Sequence, residues 1–425
     1  MRGSRGALRR LLIDVTPLRR SRDFRLLVGG QLVSVLGTQL TAVAVPYQVY
    51  RLTGSSLDVG LVSMASLGPL IVGAVLGGSV VDVVDRRRLL LVADLLLAGC
   101  SAGLAVNADV GPSLWPLFLF PALTAGLAGF DSSARNAIIP NMVERSEVST
   151  ANAMFQALFQ LGAVVGPAAA GLLLAGAGVR FVYWMDVVSF GASVVAVVRI
   201  TPQPPVGGAR RPGISSIVEG LRFVRGRPAI QGAYLIDINA MVFGMPRALF
   251  PALATKTFRG GASTLGFLYA APGAGALVGA LVTGWVRVIE RQGRAVIIAV
   301  IVWGLAITGF GLVSILPVAL VLLAVAGWAD VISAVFRNTI IQLAVTDALR
   351  GRLSGLQMAV VTGGPRLGDV EAGAVATAYG VETSVVSGGL ACVVGAFLLA
   401  RLLPGFRRQR AAVHPEPAGS GGSEG

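Results

Sequence analysis

The chain has 425 residues, of which 54% are hydrophobic and only 13% are charged. Soluble proteins contain about 25% charged residues. This composition therefore excludes a water-soluble globule and favours a protein that crosses the membrane several times. The net charge of +14 comes mainly from arginines in short clusters between apolar runs, and no continuous basic face is present, which argues against nucleic-acid binding.

Twelve apolar runs are long enough to cross about 30 Å of hydrocarbon, which requires about 20 helical residues. The first run is too long for the apolar core of a signal peptide and lacks a small-residue cleavage site, so we expect it to be retained. We number the runs as spans 1 to 12 and place them at 24–50, 57–81, 89–107, 113–137, 150–176, 179–199, 229–254, 264–288, 295–313, 316–341, 354–377 and 383–403.

The positions of basic residues test this count through the positive-inside rule. With the amino terminus in the cytosol, 28 of the 35 basic residues fall on the cytosolic side, 4 fall outside and 3 lie within spans. The sequence thus predicts a multi-pass plasma-membrane protein with both termini in the cytosol. It also predicts a cytosolic amino-terminal segment at 1–23, six-helix bundles at 24–199 and 229–403, a cytosolic linker at 200–228 and a disordered tail at 404–425.

The two halves of the chain resemble each other. The sequence RNAII at 135–139 matches RNTII at 337–341, an offset of 202 residues. Further matches pair Pro46 with Pro251, Gly60 with Gly266 and Gly171 with Gly373. Six-span repeats that both begin on the inner side are related by an axis along the membrane normal, so we expect a substrate site between the two bundles.

The segment after span 2 carries a recognisable signature. Gly78, Asp82, Arg86 and Arg87 match the pattern Gly-x-x-x-Asp-Arg-x-Gly-Arg-Arg of major facilitator superfamily transporters, whereas Val83 and Asp85 depart from it. A degenerate second copy contains Glu290, Arg291 and Arg294. The chain resembles that superfamily over nearly its whole length. The resemblance implies an all-α membrane protein with twelve transmembrane helices in two pseudo-symmetric six-helix bundles.

The resemblance also implies a role for this segment as a gate. In the family, the carboxylate at the position of Asp82 faces the cytosolic start of helix 11 in the other half, where a helix amino terminus stabilises negative charge. Breaking that contact lets the halves separate on the cytosolic side. We expect the arginines of the segment to face anionic lipid headgroups and to keep the loop inside.

Span 5 carries a second signature. Gly162, Gly166, Pro167 and Gly171 resemble the Gly-Pro motif of exporting, antiporter branches of the superfamily. Proline removes a backbone hydrogen bond and bends a helix, and we expect the glycines to let span 5 press against the other half. Residues 134–190 also resemble the branch that contains the enterobactin exporter and multidrug and macrolide exporters.

Ionisable side chains inside spans are costly in lipid and are functional candidates. Asp131 and Arg135 stand four residues apart and can pair, and their position resembles a charged site that several family members link to proton movement. A buried carboxylate can change its charge near neutral pH, because desolvation favours the neutral form and a nearby arginine favours the ionised form. We therefore predict a proton or charge relay, with the members Asp131, Arg135, Arg366, Asp369 and Glu371.

Other side chains are candidates for the cavity, which helices 1, 4, 7 and 10 line in this family. We expect Asp94 and Asp186, on peripheral helices, to be structural. Asp330 and Arg337 share one face of span 10. The predicted cavity residues are Gln31, Gln39, Asp237, Arg247, Asp330, Arg337, Phe155 and Phe159.

The favoured function is secondary active export of small amphipathic, drug- or siderophore-like molecules by alternating access in exchange for protons. Two alternatives stay open, namely a nutrient or metabolite symporter and a membrane receptor or scaffold without transport. An enzyme is disfavoured because no nucleophile–base pair or metal-ligand set is present. We expect no cofactor or metal. The expected partners are a small-molecule substrate, protons and membrane lipids, and we expect the protein to be a monomer.

Overall fold

The computed structural model describes residues 15–204, 222–282, 289–343 and 347–409, and gives side chains in the last range from 356 onward. Most of the predicted linker, the first 14 residues of the amino-terminal segment and residues 410–425 of the predicted tail lie outside these ranges. The proposed domain boundaries at these segments stay predictions.

The described chain is helical, and its helices correspond to the predicted spans within several residues, except that span 7 is interrupted. One helix, Val148–Val198, contains a break at Gly178, whose φ of 80° and ψ of 174° are not helical. We therefore divide it into α5 (148–177) and α6 (179–198). The other helices are α1 (Arg22–Thr53), α2 (Ser56–Val80), α3 (Arg86–Val110), α4 (Leu114–Met142), α7 (Pro228–Phe243), α8 (Gly261–Leu281), α9 (Gln292–Leu312), α10 (Leu316–Leu343), α11 (Asp347–Tyr379) and α12 (Val381–Leu402).

Length and apolar composition alone qualify nine continuous helices of the described chain as membrane spans. The break at Gly178 divides one of them in two, and α7 and α11 complete the twelve. Helix α7 falls short because it is interrupted, and α11 because it carries several polar residues. The predicted fold of twelve helices in two six-helix bundles is confirmed.

Local sequence explains where the helices end. Ser21 caps α1, because its Oγ accepts a hydrogen bond from the Phe24 amide at 3.2 Å, and Ser55 caps α2 in the same way. Gly54 ends α1 with a φ of 68°, a left-handed conformation that glycine adopts without steric cost. Gly380, with a φ of 94°, separates α11 from α12. Such tight connections keep consecutive helices antiparallel.

Helix α7 is interrupted in the middle of predicted span 7. It ends at Phe243 and is followed by a 3-10 turn at Arg247–Leu249, a short helix at Phe250–Ala252 and a π-helical turn at Leu253–Thr257. Pro246 and Pro251 lack the N–H groups that a continuous helix would use here. Interrupted helices occur at membrane depth only where protein or a cavity surrounds the freed backbone groups.

The two bundles meet at two interfaces that the internal repeat relates to each other. In the α2–α11 interface, Gly60 lies against the main-chain carbonyl of Asp369. In the α5–α8 interface, the repeat-equivalent Gly266 lies against the carbonyl of Pro167. Pro167 and Asp369 are 202 residues apart, which is the offset between the two RNxII sequences.

The second pair of glycines from the repeat extends both interfaces. Gly373 packs on the backbone of Ser56 and Leu57 in α2, and Gly171 packs on Ala262 and Gly266 in α8. A Cβ atom at either glycine would collide with backbone. These contacts lie near the start of α2 and the end of α5, on the face of the molecule remote from the chain ends. The bundles are therefore closed together on that face.

We predict that Gly171→Val destabilises the protein by about 1–3 kcal/mol, because the added side chain must separate α5 from α8. Gly176→Val in the same helix is the matched control, since a Cβ atom there meets no other atom within 4 Å. Equilibrium unfolding in mixed micelles measures both free energies. Equal stability of the two variants would contradict this account of the interface.

Candidate functional site

A cavity of about 530 Å³ lies between the two bundles, next to the α2–α11 and α5–α8 interfaces. Its walls come from α1 to α5 on one side and from the α7 interruption, α8 and α11 on the other. Of the four helices expected to line the cavity, helices 1, 4 and 7 contribute to these walls, whereas helix 10 lines a second cavity that adjoins this one. The polar or charged residues that line the cavity of about 530 Å³ are Thr38, Gln39, Thr41, Ser63, Ser66, Thr124, Arg247, Tyr269, Arg366 and Asp369.

Asp369 connects the cavity wall to both bundles. The Ser63 hydroxyl of α2 donates a hydrogen bond to Asp369 Oδ2 at 2.6 Å. The Ala248 amide, which the interruption of α7 leaves free, donates to Asp369 Oδ1 at 3.1 Å. The side chain is buried, with 9% of its surface exposed. Asp369 therefore lines the cavity and at the same time holds α2 of one bundle against α7 and α11 of the other.

The other predicted relay residues of span 11, Arg366 and Glu371, make no hydrogen bond or ion pair with Asp369 in the described part of the chain. Arg366 lines the cavity, but its Nη1 donates to the Thr362 carbonyl at 2.6 Å, and its Nε is buried without a hydrogen-bond partner. No ion pair joins Arg366 to Asp369 in the described part of the chain. Glu371 is half-buried and lies outside the cavity lining.

A smaller cavity of about 270 Å³ adjoins the first one, and it also lies between the bundles, because Gln160 and Ala163 of α5 line it together with residues of the carboxy-terminal bundle. Arg247, Ala163 and Gly273 line both cavities. Asp330 and the residues around it bring α10 to the wall of this smaller cavity only. Both Arg247 and Asp330 thus lie where they were expected, on cavity walls.

The predicted pair on α4 is present, and it is part of a larger network. Arg135 Nε lies 2.7 Å from Asp131 Oδ2, and Arg135 Nη2 lies 3.3 Å from Asp94 Oδ1 on α3. The hydroxyl of Ser193 on α6 donates to Asp94 Oδ2 at 2.7 Å. Asp94 is fully buried, so this network joins three helices of one bundle and does not reach the cavity.

The equivalent arginine of the second repeat is held in a corresponding way. Arg337 Nη2 lies 2.7 Å from Asp237 Oδ1 on α7, and Arg337 Nη1 donates to the Ser333 hydroxyl at 2.8 Å. Both charged side chains are buried. The partner of Arg337 is therefore Asp237 and not Asp330. Neither Asp237 nor Arg337 lines a cavity, so their proposed place in the cavity is not supported.

The remaining cavity candidates divide in the same way. Gln39 lines the cavity. Gln31 is buried within its bundle, and Phe155 packs edge-on against Phe24 with ring centroids 5.9 Å apart. Phe159 is 50% exposed but does not line the cavity.

Sequence reasoning missed the hydroxyl groups of the cavity. Thr41 lines the cavity and donates to Asp186 Oδ2 at 2.7 Å. Ser101, which lies outside the cavity lining, donates to the same oxygen at 2.7 Å. Asp186 was expected to be structural, and it does tie α1, α3 and α6 together. Single serines and threonines in apolar helices give no sequence signal, because their role depends on which helix lies opposite.

The glycines of the span 5 signature have two different neighbours. Gly162 and Gly166 face Val35 and Gln39 of α1, within the same bundle. Only Gly171, together with the carbonyl of Pro167, faces α8 of the other bundle. The expectation that all of these glycines press against the other half is therefore wrong for Gly162 and Gly166.

The charged loop between α2 and α3 is fastened to its own bundle. Asp85 caps α3 by accepting hydrogen bonds from the Arg87 and Arg88 amides at 2.9 and 3.1 Å. Arg86 is 7% exposed and donates to the Ala137 carbonyl of α4 at 3.0 Å, while Arg87 donates to the Val197 carbonyl of α6 at 3.2 Å. The expectation that these arginines face lipid headgroups is thus wrong for Arg86.

The gate partner of Asp82 falls outside the described side chains, which begin at 356 in α11. Within the described residues, no hydrogen bond or ion pair involves Asp82. Gly78 is buried. In the second copy, Glu290, Arg291 and Arg294 are exposed, and Gly293 packs on the carbonyl of Phe406 in a short helix, Pro404–Arg407. The role of both copies as a gate stays a prediction.

The sequence of this chain matches the profile of a known family over residues 14–416, and the description of that family is transmembrane secretion effector. The chain belongs to the transmembrane secretion effector family. The match spans both bundles, so the predicted membership of the major facilitator superfamily and the prediction of a multi-pass secondary transporter are confirmed.

Individual relatives agree with this family. The chain is 29% identical over 400 residues to the enterobactin exporter EntS of Escherichia coli O1:K1, covering 94% of this chain and 96% of that relative. A bacterial homologue of the human lysosomal transporter Spinster, solved in an inward-facing and unoccupied conformation, has a TM-score of 0.69 at 14% identity and covers 91% of this chain and 98% of its own. The nucleoside transporter NupG has a TM-score of 0.73 at 13% identity, with coverages of 90% and 99%.

We predict that Asp237→Asn lowers the free energy of unfolding by about 3–5 kcal/mol, because it leaves the buried Arg337 guanidinium without a carboxylate. Asp109→Asn is the matched control, since its partner Arg180 has a side chain that is 70% exposed and such pairs contribute about 0–1 kcal/mol. Unfolding titrations in mixed micelles measure both. A loss below 1 kcal/mol for Asp237→Asn would show that this pair is not structurally important.

Proposed function

We propose that this protein exports small amphipathic, drug- or siderophore-like molecules from the cytosol by alternating access, in exchange for protons. The family and the relationship to an enterobactin exporter support export. The cavity between the bundles supports alternating access, because it is shared by two units that are related by a repeat.

The observation that carries the proposal is the double role of Asp369. An ionised carboxylate accepts the hydrogen bonds from Ser63 and Ala248 together. A protonated carboxyl group has one oxygen that is itself a donor, so it binds those two donors less well. Protonation of Asp369 and closure of the α2–α11 interface are therefore linked, and linkage of this kind is reciprocal.

The cavity side of the same carboxyl group provides the connection to the substrate. Asp369 belongs to the cavity lining, so a compound bound there changes the surroundings of the group that takes up the proton. Proton exchange and substrate movement then share one site and one interface. Asp131 and Arg135 are better explained as structural members of the Asp94 network.

The structure supports an assignment of the open side. The close contacts between the bundles lie on the face remote from the chain ends, and the positive-inside rule places the chain ends in the cytosol. We infer that this is the inward-facing state, with both termini in the cytosol. Separation of the amino-terminal half of α2 from α11 would then open the cavity to the outside.

A transport assay with purified protein in liposomes tests the proposal. With an acidic lumen, an antiporter accumulates substrate inside irrespective of its orientation, whereas a symporter depletes it. Enterobactin and macrolides are suitable test compounds, given the relatives. Accumulation in the acidic lumen is the expected result. Depletion would indicate the symporter, and binding without any flux would indicate a receptor.

Asp369→Asn should lower accumulation driven by the pH gradient at least tenfold, because asparagine cannot exchange a proton, while counterflow without a gradient persists. Ser63→Ala is the matched variant. It removes one hydrogen bond but keeps the carboxyl group, so its transport should still depend on the gradient. Undiminished gradient-driven transport by Asp369→Asn would exclude this residue as the proton carrier.

Asp82→Asn tests the gate. We expect normal insertion and folding but transport reduced about tenfold or more, because the neutral side chain no longer interacts favourably with the start of α11 when the cytosolic side closes. Initial rates in liposomes and the elution volume on size exclusion measure the two properties. Arg88→Gln, an exposed residue of the same loop, should transport normally. Full activity of Asp82→Asn would remove the gate role.

A further inference from the structure

Arg135 of α4, Arg337 of α10, Arg366 of α11 and Arg247 in the interruption after α7 fall into two classes. Arg135 and Arg337 each contact a carboxylate of their own bundle within 4.0 Å and lie away from the cavity. Arg247 and Arg366 line the cavity, and no carboxylate oxygen of the described residues lies within 4.0 Å of either guanidinium. The charge of an arginine at membrane depth requires a partner.

The hydrogen-bonding capacity of these two guanidinium groups is largely unused. A guanidinium has five N–H donors. Arg366 uses one for the Thr362 carbonyl, and its buried Nε has no acceptor. The side chain of Arg247 is exposed on the cavity wall, and the hydrogen bonds that the described residues make with Arg247 involve its main chain, including one from the Tyr269 hydroxyl to its carbonyl at 3.2 Å.

Asp369 and Asp330 are close enough to interact electrostatically with Arg247, but neither forms an ion pair with Arg247 or Arg366 within 4.0 Å in the described part of the chain. Both oxygens of Asp369 already accept hydrogen bonds, from Ser63 and from Ala248. Asp330 lies on the wall of the adjoining cavity and contributes nothing to the lining of the main one. The lining of the main cavity therefore contains two guanidinium groups and one carboxylate, and its charged residues carry a net positive charge when Asp369 is ionised.

We propose that Arg247 and Arg366 form a subsite for an anionic oxygen group of the transported compound, such as a carboxylate, phenolate or sulfonate. This inference rests on the proposed function and narrows its substrate class. Arginine suits the role because its planar fork binds such groups through two parallel hydrogen bonds. The apolar walls around it hold the remainder of the molecule.

Three dansyl compounds with the same fluorophore test the charge preference. Dansylglycine is anionic, dansylamide is neutral and dansylcadaverine is cationic. Their fluorescence is titrated with purified protein in phosphatidylcholine nanodiscs. We expect dansylglycine to bind at least tenfold more tightly than either of the other two.

Substitutions identify the residues. Arg247→Gln and Arg366→Gln should each weaken dansylglycine binding about tenfold and change dansylamide binding less than twofold. Arg366→Lys should retain part of the preference, because it keeps the charge but loses the fork. Arg401→Gln is the control, since it removes one positive charge at the exposed end of α12. Arg247 is exposed, so we expect Arg247→Gln to fold normally. The binding test therefore stays valid even when Arg366→Gln does not fold.

Two results would overturn the proposal. In the first, dansylglycine does not bind, or binds no more tightly than dansylcadaverine. The other is loss of dansylglycine binding in nanodiscs that contain phosphatidylglycerol, which would identify a lipid headgroup as the occupant. Asp330→Asn should leave dansylglycine binding unchanged or tighter. These titrations require no flux, so an anion preference without transport in liposomes would refute the proposed function and leave the subsite intact.

Discussion

Close packing between backbones holds the two bundles together. At the α2–α11 and α5–α8 interfaces a glycine of one bundle lies directly on a carbonyl of the other, with no side chain between them. In lipid, helices associate through such packing, because burial of apolar surface gives no advantage over contact with acyl chains. The depth of these two interfaces fixes the position of the cavity beside them and determines which face of the molecule is closed.

Polar interactions have separate roles within this framework. The networks around Arg135 and Arg337 stay inside their own bundles and stabilise each bundle as a unit. The Asp369 carboxylate joins one bundle to the other. A transporter whose bundles move as rigid bodies needs both arrangements, because permanent ion pairs between the bundles would oppose the motion, and a loose bundle would not transmit it.

Much of this architecture could be predicted from sequence, because hydropathy, basic residues and the repeat each report on it. The order of the helices, the two bundles and the cavity residues Gln39 and Arg247 follow from such patterns. Arg366 and Asp369 were predicted as members of a relay, and their place on the cavity wall was not predicted. Tertiary partners could not be predicted. Spacing along α10 suggested that Asp330 and Arg337 belong together, whereas Arg337 binds Asp237 across helices. The hydroxyl of Ser63 and the amide of Ala248 both donate to Asp369 from other helical segments, and no sequence pattern indicates these contacts.

The repeat also makes a difference between the two interfaces apparent. Equivalent positions hold Asp369 in one and Pro167 in the other. A proline side chain forms no hydrogen bond and carries no charge, so Pro167 adds no titratable group to the α5–α8 contact. In the proposed mechanism, protonation of Asp369 loosens the α2–α11 contact and leaves the α5–α8 contact unchanged. The bundles then separate at α2 and α11 and rotate about the α5–α8 contact, which serves as the hinge.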